Sequence, residues 1–340
     1  MKKIIAVVLV LVAGAAFLMV QASNDDQNNS SETQKDKFRF SLDWVPNTNH
    51  TGVYVAQANG YYDEENIELE ILPNPNANPT DGLLLEDKAD AAIGFTEGVT
   101  TAAASDSPIT SIAAVISTNT SALAVRASDN IDSLAELDGK TFGGFGADFE
   151  AAAMKAVIKN DGGKGDFKSA VVSTGPMEAL ETGNVDFVWI FEGWDGLKAK
   201  RDGFDVKLFP VKEHGLPDYY TPNIVATPAK IESNPDLLKR FMRATQKGYQ
   251  FAIDNPDQAA KILIDNTDKG TFEDEGLVYD SQKYLTDKYA HADKPWGFQK
   301  AELWQNYPQF MVRSGAILDT AGKPVASIDN SKLYTNQFVE

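Results

Sequence analysis

Five short stretches concentrate the side chains that could do chemistry. "DWVPNTNHTG" (residues 43–52) sets the aromatic face of Trp44 beside the amides of Asn47 and Asn49 and the imidazole of His50. "FTEG" (residues 95–98) carries the hydroxyl of Thr96 next to the carboxylate of Glu97, and "STN" (residues 117–119) ends on Asn119. "VWIFEGWDG" (residues 188–196) holds Glu192 among Trp189, Phe191 and Trp194, and "DYYTPN" (residues 218–223) pairs Tyr219 with Tyr220. These groups donate and accept hydrogen bonds and offer flat apolar faces, which is the equipment of small-molecule recognition. Each also has an ordinary structural use. Trp44 can pack beneath its loop, Asn47 can form a turn after Pro46, and Asn49 can cap the helix that follows. Glu97 suits the first turn of a helix, where the dipole favours it, and Glu192 can neighbour a helix N-cap.

Groups for covalent or metal chemistry are scarce. The chain has no cysteine, which excludes disulfides, thiolate catalysis, iron–sulfur clusters and cysteine zinc sites together. Of its three histidines, His214 and His291 have no metal-ligand spacing, and no Ser-His-Asp order stands out. No metal and no cofactor are expected. "GGFGADFE" (residues 143–150) has the form of a phosphate loop ahead of a helix, but it lacks the Walker lysine and hydroxyl and the GxGxxG spacing. Asp148 and Glu150 would repel phosphate, so its N–H groups are expected to face a neutral polar ligand group.

The elements that carry these stretches alternate. "FRFSL", "IELEILP", "DAAIGF" and "ITSIAAVI" read as strands, separated by helix-like segments such as "TGVYVAQANGYYDEEN", expected to end near Asn59-Gly60. A second, smaller set follows with strands "KTFGGF", "KSAVVST", "VDFVWIF" and "KLFPV". After the return strand in "TPNIVATP" the chain turns helical, with two helices each opened by Asn-Pro. Alternating strands and helices imply an α/β fold with largely parallel sheets.

Length allows two domains. The formal charge of −18 argues against nucleic acid, whose phosphates it would repel. At the N-terminus, "MKK" precedes 17 uncharged residues and the small-residue exit Val20-Gln21-Ala22, the pattern of a secretory signal. The apolar run is near the roughly 20 residues that span a bilayer, so a retained anchor stays open beside cleavage. Residues 1–22 are thus a signal peptide or anchor, and 23–37 a flexible tether with little to bury. Export to the periplasm or the outer face of the cytoplasmic membrane is expected. The acylated cysteine that would end a lipoprotein signal is absent.

"DWVPNTNHTGVYVAQANGYYDEENIELEI" (residues 43–71) resembles the opening of the thiamin-pyrimidine family. That family comprises binding proteins of ABC importers for thiamin pyrimidine precursors and the pyrimidine synthases related to them. "DAAIGF", "SPITSIAAV", "SLAELDGKTFGG", "VDFVWIFEGWDG" and "HGLPDYYTPNIVAT" follow in the family's order, and the resemblance covers about residues 38–310. "DWxPNTNHTG" together with "GWDG" is its specific part; "DGK" is common to many binding proteins. The resemblance implies a two-lobed periplasmic binding protein of type II, each lobe a mostly parallel sheet flanked by helices. Residues 38–125 plus 223–340 would form one lobe and 126–222 the other, with ligand between them, beyond the strand C-termini.

The implied ligand is an aminopyrimidine and the implied partner an ABC permease, with no nucleic acid and a monomeric chain. Trp44 would stack on the ring, with Tyr219 or Tyr220 opposite. Glu192 would pair with a ring nitrogen and the adjacent amino group, while Asn47, Thr96, Glu97 and Asn119 meet other polar atoms. Trp194 and Asp195 are expected to start a helix and pack beneath their loop. His50 matches a histidine that supplies product ring atoms in the synthases. Here, without cysteine, it is expected as a neutral imidazole touching the ligand. Two alternatives stand beside the binding protein: a pyrimidine synthase on the same fold, and a binding protein for another small solute such as a sulfonate.

Overall fold

A computed structural model describes residues 34–339 except 75, 77, 78, 106, 173 and 174. The expected signal or anchor, and residues 23–33 of the expected tether, lie outside the described residues. The first strand, β1 (Asp36–Ser41), begins inside the stretch read as tether. Among the described residues, no helix is long and apolar enough to cross a membrane.

The remaining strands are β2 (Ile67–Leu72), β3 (Ala91–Gly94), β4 (Thr110–Ala114), β5 (Ser121–Arg126), β6 (Thr141–Gly144), β7 (Lys168–Val171), β8 (Phe187–Phe191), β9 (Val206–Pro210) and β10 (Asn223–Ala226). They form two five-stranded sheets, ordered β2-β1-β3-β10-β4 and β7-β6-β8-β5-β9. In each sheet one strand opposes the other four: β10 in the first and β5 in the second. The largely parallel expectation holds in this form.

Those two reversed strands are where the chain passes from sheet to sheet. β5 starts beside the C-terminal end of β8, Ser121 opposite Phe191. β10 starts beside the C-terminal ends of β3 and β4, Asn223 opposite Gly94 and Ala114. Both crossings, residues 115–120 and 211–222, therefore lie at the strand C-terminal edge. Strand β5 had no counterpart in the sequence reading, and the division drawn at 125/126 falls within it. Its "SALAVR" is buried on both faces along nearly its whole length, so no alternation marks it, and it follows β4 after only six residues.

The helices are α1 (Thr51–Ala58), α2 (Tyr61–Glu64), α3 (Asp81–Leu85), α4 (Thr96–Ala104), α5 (Asp148–Asn160), α6 (Pro176–Glu181), α7 (Leu197–Asp202), α8 (Pro228–Ser233), α9 (Pro235–Asp254), α10 (Pro256–Asp265), α11 (Glu275–Leu285) and α12 (Ala301–Arg313). α1 stops at Ala58, and Gly60, at φ 75°, turns the chain into α2. α9 and α10 carry proline in their first turns, as the Asn-Pro pairs predict.

The core under the first sheet is aromatic. Phe241 of α9 stacks on Phe38 at 4.1 Å and on Tyr62 at 5.6 Å, and Tyr249 stacks on Trp296 at 3.9 Å. α12 serves both sheets: Trp304 joins the cluster with Tyr220 and Val225, whereas Tyr307 and Met311 join that of Phe142 and Phe187. α1 and α9 meet at two glycines. A Cβ on Gly248 would stand 2.0 Å from the Gly52 carbonyl oxygen, and one on Gly52 would stand 2.2 Å from the Tyr249 ring. Only glycine permits this approach. Gly248→Ala should destabilise the fold by about 1–3 kcal/mol through overpacking. Urea unfolding followed by circular dichroism measures it, and an unchanged midpoint would show that the two helices can slide apart.

Candidate ligand-binding cleft

The strand-end loops and the two crossings converge on a cleft of about 100 Å³. That is the scale of one small ring, since an apolar cavity of roughly 150 Å³ takes up benzene. Asp43, Trp44, Asn47, Thr48 and Asn49 line it from the loop after β1, Ile116 and Thr120 from the first crossing, and Thr221 and Pro222 from the second. Phe191, Gly193, Trp194 and Asp195 come from the end of β8 and its loop, and Leu285 from α11.

Two aromatic faces stay uncovered at this cleft, Trp44 at 40% exposure and Phe191 at 41%, one from each sheet. Phe40 and Leu42, just before Trp44, are fully buried. A large aromatic left open inside a concavity is the informative exception to burial. The loop that presents Trp44 is locked from within. Asn47 Oδ1 accepts the Asn49 N–H at 2.9 Å and its Nδ2 donates to the Val45 carbonyl at 3.1 Å. His50 Nδ1 accepts the Asn47 N–H at 3.2 Å, so the ring proton sits on Nε2, which donates to Asp43 Oδ1 at 2.8 Å. His50 is thus a buried neutral imidazole with both nitrogens engaged, and it lies behind the cleft lining. The hydroxyls of Tyr249 and Tyr289 donate to the carbonyls of Asn49 and Thr48, each at 2.6 Å.

On the other side, β8 runs into a π-helical turn, Glu192–Gly196. This turn carries Glu192 away from the cleft, where its Oε2 accepts the Tyr284 hydroxyl of α11 at 3.2 Å. Asp195 lines the cleft instead of packing beneath its loop. Its Oδ2 accepts the Phe191 N–H at 3.1 Å, and burial pushes its carboxyl above the usual range. Trp194, also expected beneath the loop, lines the cleft while its ring meets Phe272 edge-on at 6.4 Å. A Cβ on Gly193 would stand 2.6 Å from Tyr284, so glycine lets α11 close against the turn. Arg201 of α7 adds ion pairs of 2.5 Å to Asp274 and to Asp280 of α11.

The other expected residues sit one layer deeper. Thr96 donates to the Tyr220 carbonyl at 2.7 Å. Glu97 accepts the Tyr307 hydroxyl at 3.1 Å, and Tyr307 stacks on Tyr219 at 3.7 Å. Asn119 accepts the N–H and hydroxyl of Ser121 at 2.8 and 2.6 Å. The Tyr220 hydroxyl accepts the Lys300 N–H at 2.7 Å. Tyr219 and Tyr220 are both buried and neither lines the cleft; the second aromatic at its wall beside Trp44 that stays open is Phe191. Of the nine expected residues, Trp44 and Asn47 reach the cleft wall. Phe191, Trp194 and Asp195 carry a sequence signal in their place at a strand end, and Thr221 and Pro222 lie in the stretch that also holds Tyr219 and Tyr220. Leu285 of α11 has no local signal.

The glycine-rich loop before α5 does not present free N–H groups. Glu150 folds back and accepts those of Phe145, Gly146 and Ala147 at 3.1, 2.8 and 2.9 Å. A wider depression of about 620 Å³ lies on the face of α2 and α9. Its charged side chains include the Lys247–Glu64 pair at 2.8 Å, and no strand-end loop reaches it.

Two α/β sheets joined by two crossings, with the strand ends of both turned to one cleft, define the fold of periplasmic binding proteins. The nitrate-binding NrtA of Synechocystis superposes with a TM-score of 0.65 at 14% identity, over 90% of this chain and 87% of that one. The aliphatic sulphonate-binding SsuA of Escherichia coli gives 0.62 at 13%, over 89% and 94%. Within this fold the chain belongs to the NMT1/THI5-like family, which residues 47–259 match. The formylaminopyrimidine-binding protein of Halalkalibacterium halodurans is 29% identical over 89% of this chain and 91% of its own. The 4-amino-5-hydroxymethyl-2-methylpyrimidine phosphate synthase THI12 of Saccharomyces cerevisiae is 24% identical over 68% and 71%.

Burial raises the Glu97 carboxyl from 4.5 to about 6, against hydrogen bonding from Tyr219 and Tyr307 that lowers it. A carboxyl raised in the folded state stabilises the fold below the unfolded value and loses that contribution as pH climbs through the folded one. The difference corresponds to about 2 kcal/mol. Glu97→Gln should therefore gain stability relative to wild type between pH 4.5 and 7, seen as a narrowing or reversed gap in melting temperature. A gap that does not change with pH would show that Glu97 titrates normally.

Proposed function

We propose that this chain is the extracytoplasmic substrate-binding protein of an ABC importer, and that it binds an aminopyrimidine precursor of thiamin in the cleft. The observation that carries this is the cleft's lining: two open aromatic faces, Trp44 and Phe191, and two acids, Asp43 and Asp195, with no lysine, arginine or histidine among the described residues that line it. A flat ring with amino hydrogens fits such a wall, whereas a sulfonate or nitrate would meet two acids and no compensating cation. The name and extent of the Halalkalibacterium relative support the same ligand class. Asn47, at the wall, supplies a polar contact, while His50, Thr96, Glu97, Asn119, Tyr219 and Tyr220 hold the wall in place from behind. The two lobes, each built on one sheet and divided at the crossings 115–120 and 211–222 rather than at 125/126, close on the ligand and together present a surface to the permease. The chain acts as an exported monomer.

The synthase reading draws on the yeast relative. Against it, His50 is enclosed with both nitrogens engaged, and the chain has no cysteine.

Calorimetric titration of the full chain with hydroxymethyl- and formylaminomethyl-aminopyrimidines, thiamin, taurine and nitrate tests the proposal. Selective binding of an aminopyrimidine is expected. Trp44→Ala should weaken it about tenfold, from lost burial plus roughly 0.5–1.5 kcal/mol of stacking. A folded protein that binds taurine or nitrate and no pyrimidine would leave the fold standing and remove the ligand.

A further inference from the structure

Asp195 is the one acid of the cleft wall without a cationic or imidazole neighbour. Asp43, the other, is held by His50 Nε2 at 2.8 Å. Glu192, on the same turn, faces the Tyr284 hydroxyl of α11. Asp195 is held by backbone N–H groups, that of Phe191 on Oδ2 at 3.1 Å and its own, and it lines the same cleft as Trp44 and Phe191. A carboxyl group on that wall is placed to meet the polar edge of a small ring held in the cleft.

Resting on the ring-binding reading above, we infer that Asp195 reads the ligand's edge by sharing one proton with a ring nitrogen that carries a neighbouring amino group. The chemistry needs a single proton in the pair. Either the acid O–H donates to the ring nitrogen while its carbonyl accepts an amino hydrogen, or the carboxylate accepts from both the amino group and a protonated ring. With no proton, two lone pairs would face each other. At a pH where neither the free acid nor the free ring holds this proton, binding takes it from the buffer. Desolvation of Asp195, which already favours its protonated form, works in the same direction. The site is thus one for amidine-like edges, as in aminopyrimidines and 2-aminopyridines, and it discriminates against rings that have the nitrogen without the amino group.

Calorimetry of the full chain at pH 8, in two buffers of different ionisation enthalpy, tests this with hydroxymethyl-aminopyrimidine, 2-aminopyridine and 2-methylpyrimidine. Wild type should take up close to one proton per ligand bound, lose affinity about tenfold per pH unit above neutrality, and bind 2-methylpyrimidine poorly. Asp195→Asn, whose amide carries both the donor and the acceptor, should keep binding but lose proton uptake and pH dependence; Asp195→Leu should lose binding at least thirtyfold. Wild type without proton uptake, or Asp195→Asn that retains it, overturns the inference. Should 2-aminopyridine bind with Asp195-dependent uptake while aminopyrimidines do not, the proposed ligand falls and the edge chemistry stands. A folded protein that binds neither overturns both.

Discussion

β5 and β10 each enter a sheet against its other four strands, starting at the edge where those strands end. That reversal brings both crossings to the same edge as the loops after β1 and β8. Thr120 and Pro222 could not otherwise share a wall with Trp44 and Phe191.

The polar groups around the crossings show how rigidity is divided. Asn119, Thr96, Glu97 and the two tyrosines make a buried network in which most bonds run to backbone atoms or to one another. Such a network is demanding, because a buried polar atom left unpaired costs about 1–3 kcal/mol. Asn223 is such a case: both its amide atoms are buried without a partner among the described residues. The wall nearer solvent is simpler. It consists of aromatic faces held from behind, by the His50–Asp43–Asn47 interlock on one side and by α11 against the π-turn on the other.

Charge follows the same logic. The N–H groups ahead of α5 would attract an anion, and Glu150 fills that position with the chain's own carboxylate. The cleft wall adds Asp43 and Asp195. Both features lower the potential for an anionic ligand, although solved proteins of the same fold are named for nitrate and sulphonate binding. The fold is indifferent to ligand charge, and a few side chains at the strand ends set it.

Much of this was legible in the chain. Alternation and turn residues gave β1, β2, β8 and the Asn-Pro starts of α9 and α10, because period and backbone preference act within a few residues. The motif around Trp44 and the "GWDG" segment pointed to the family and to Trp44 itself. Strand β5 escaped because burial on both faces erases the pattern that marks a strand. Which side chains meet the cleft was decided by tertiary structure. The π-turn rotates Asp195 inward and Glu192 toward Tyr284, and both tyrosines before β10 go into the core beside Tyr307 and Trp304. Residue type states what a group can do. The direction it faces depends on a partner far away in sequence, such as Tyr284 for Glu192 or Tyr307 for Tyr219, and only the packed sheets bring those partners together.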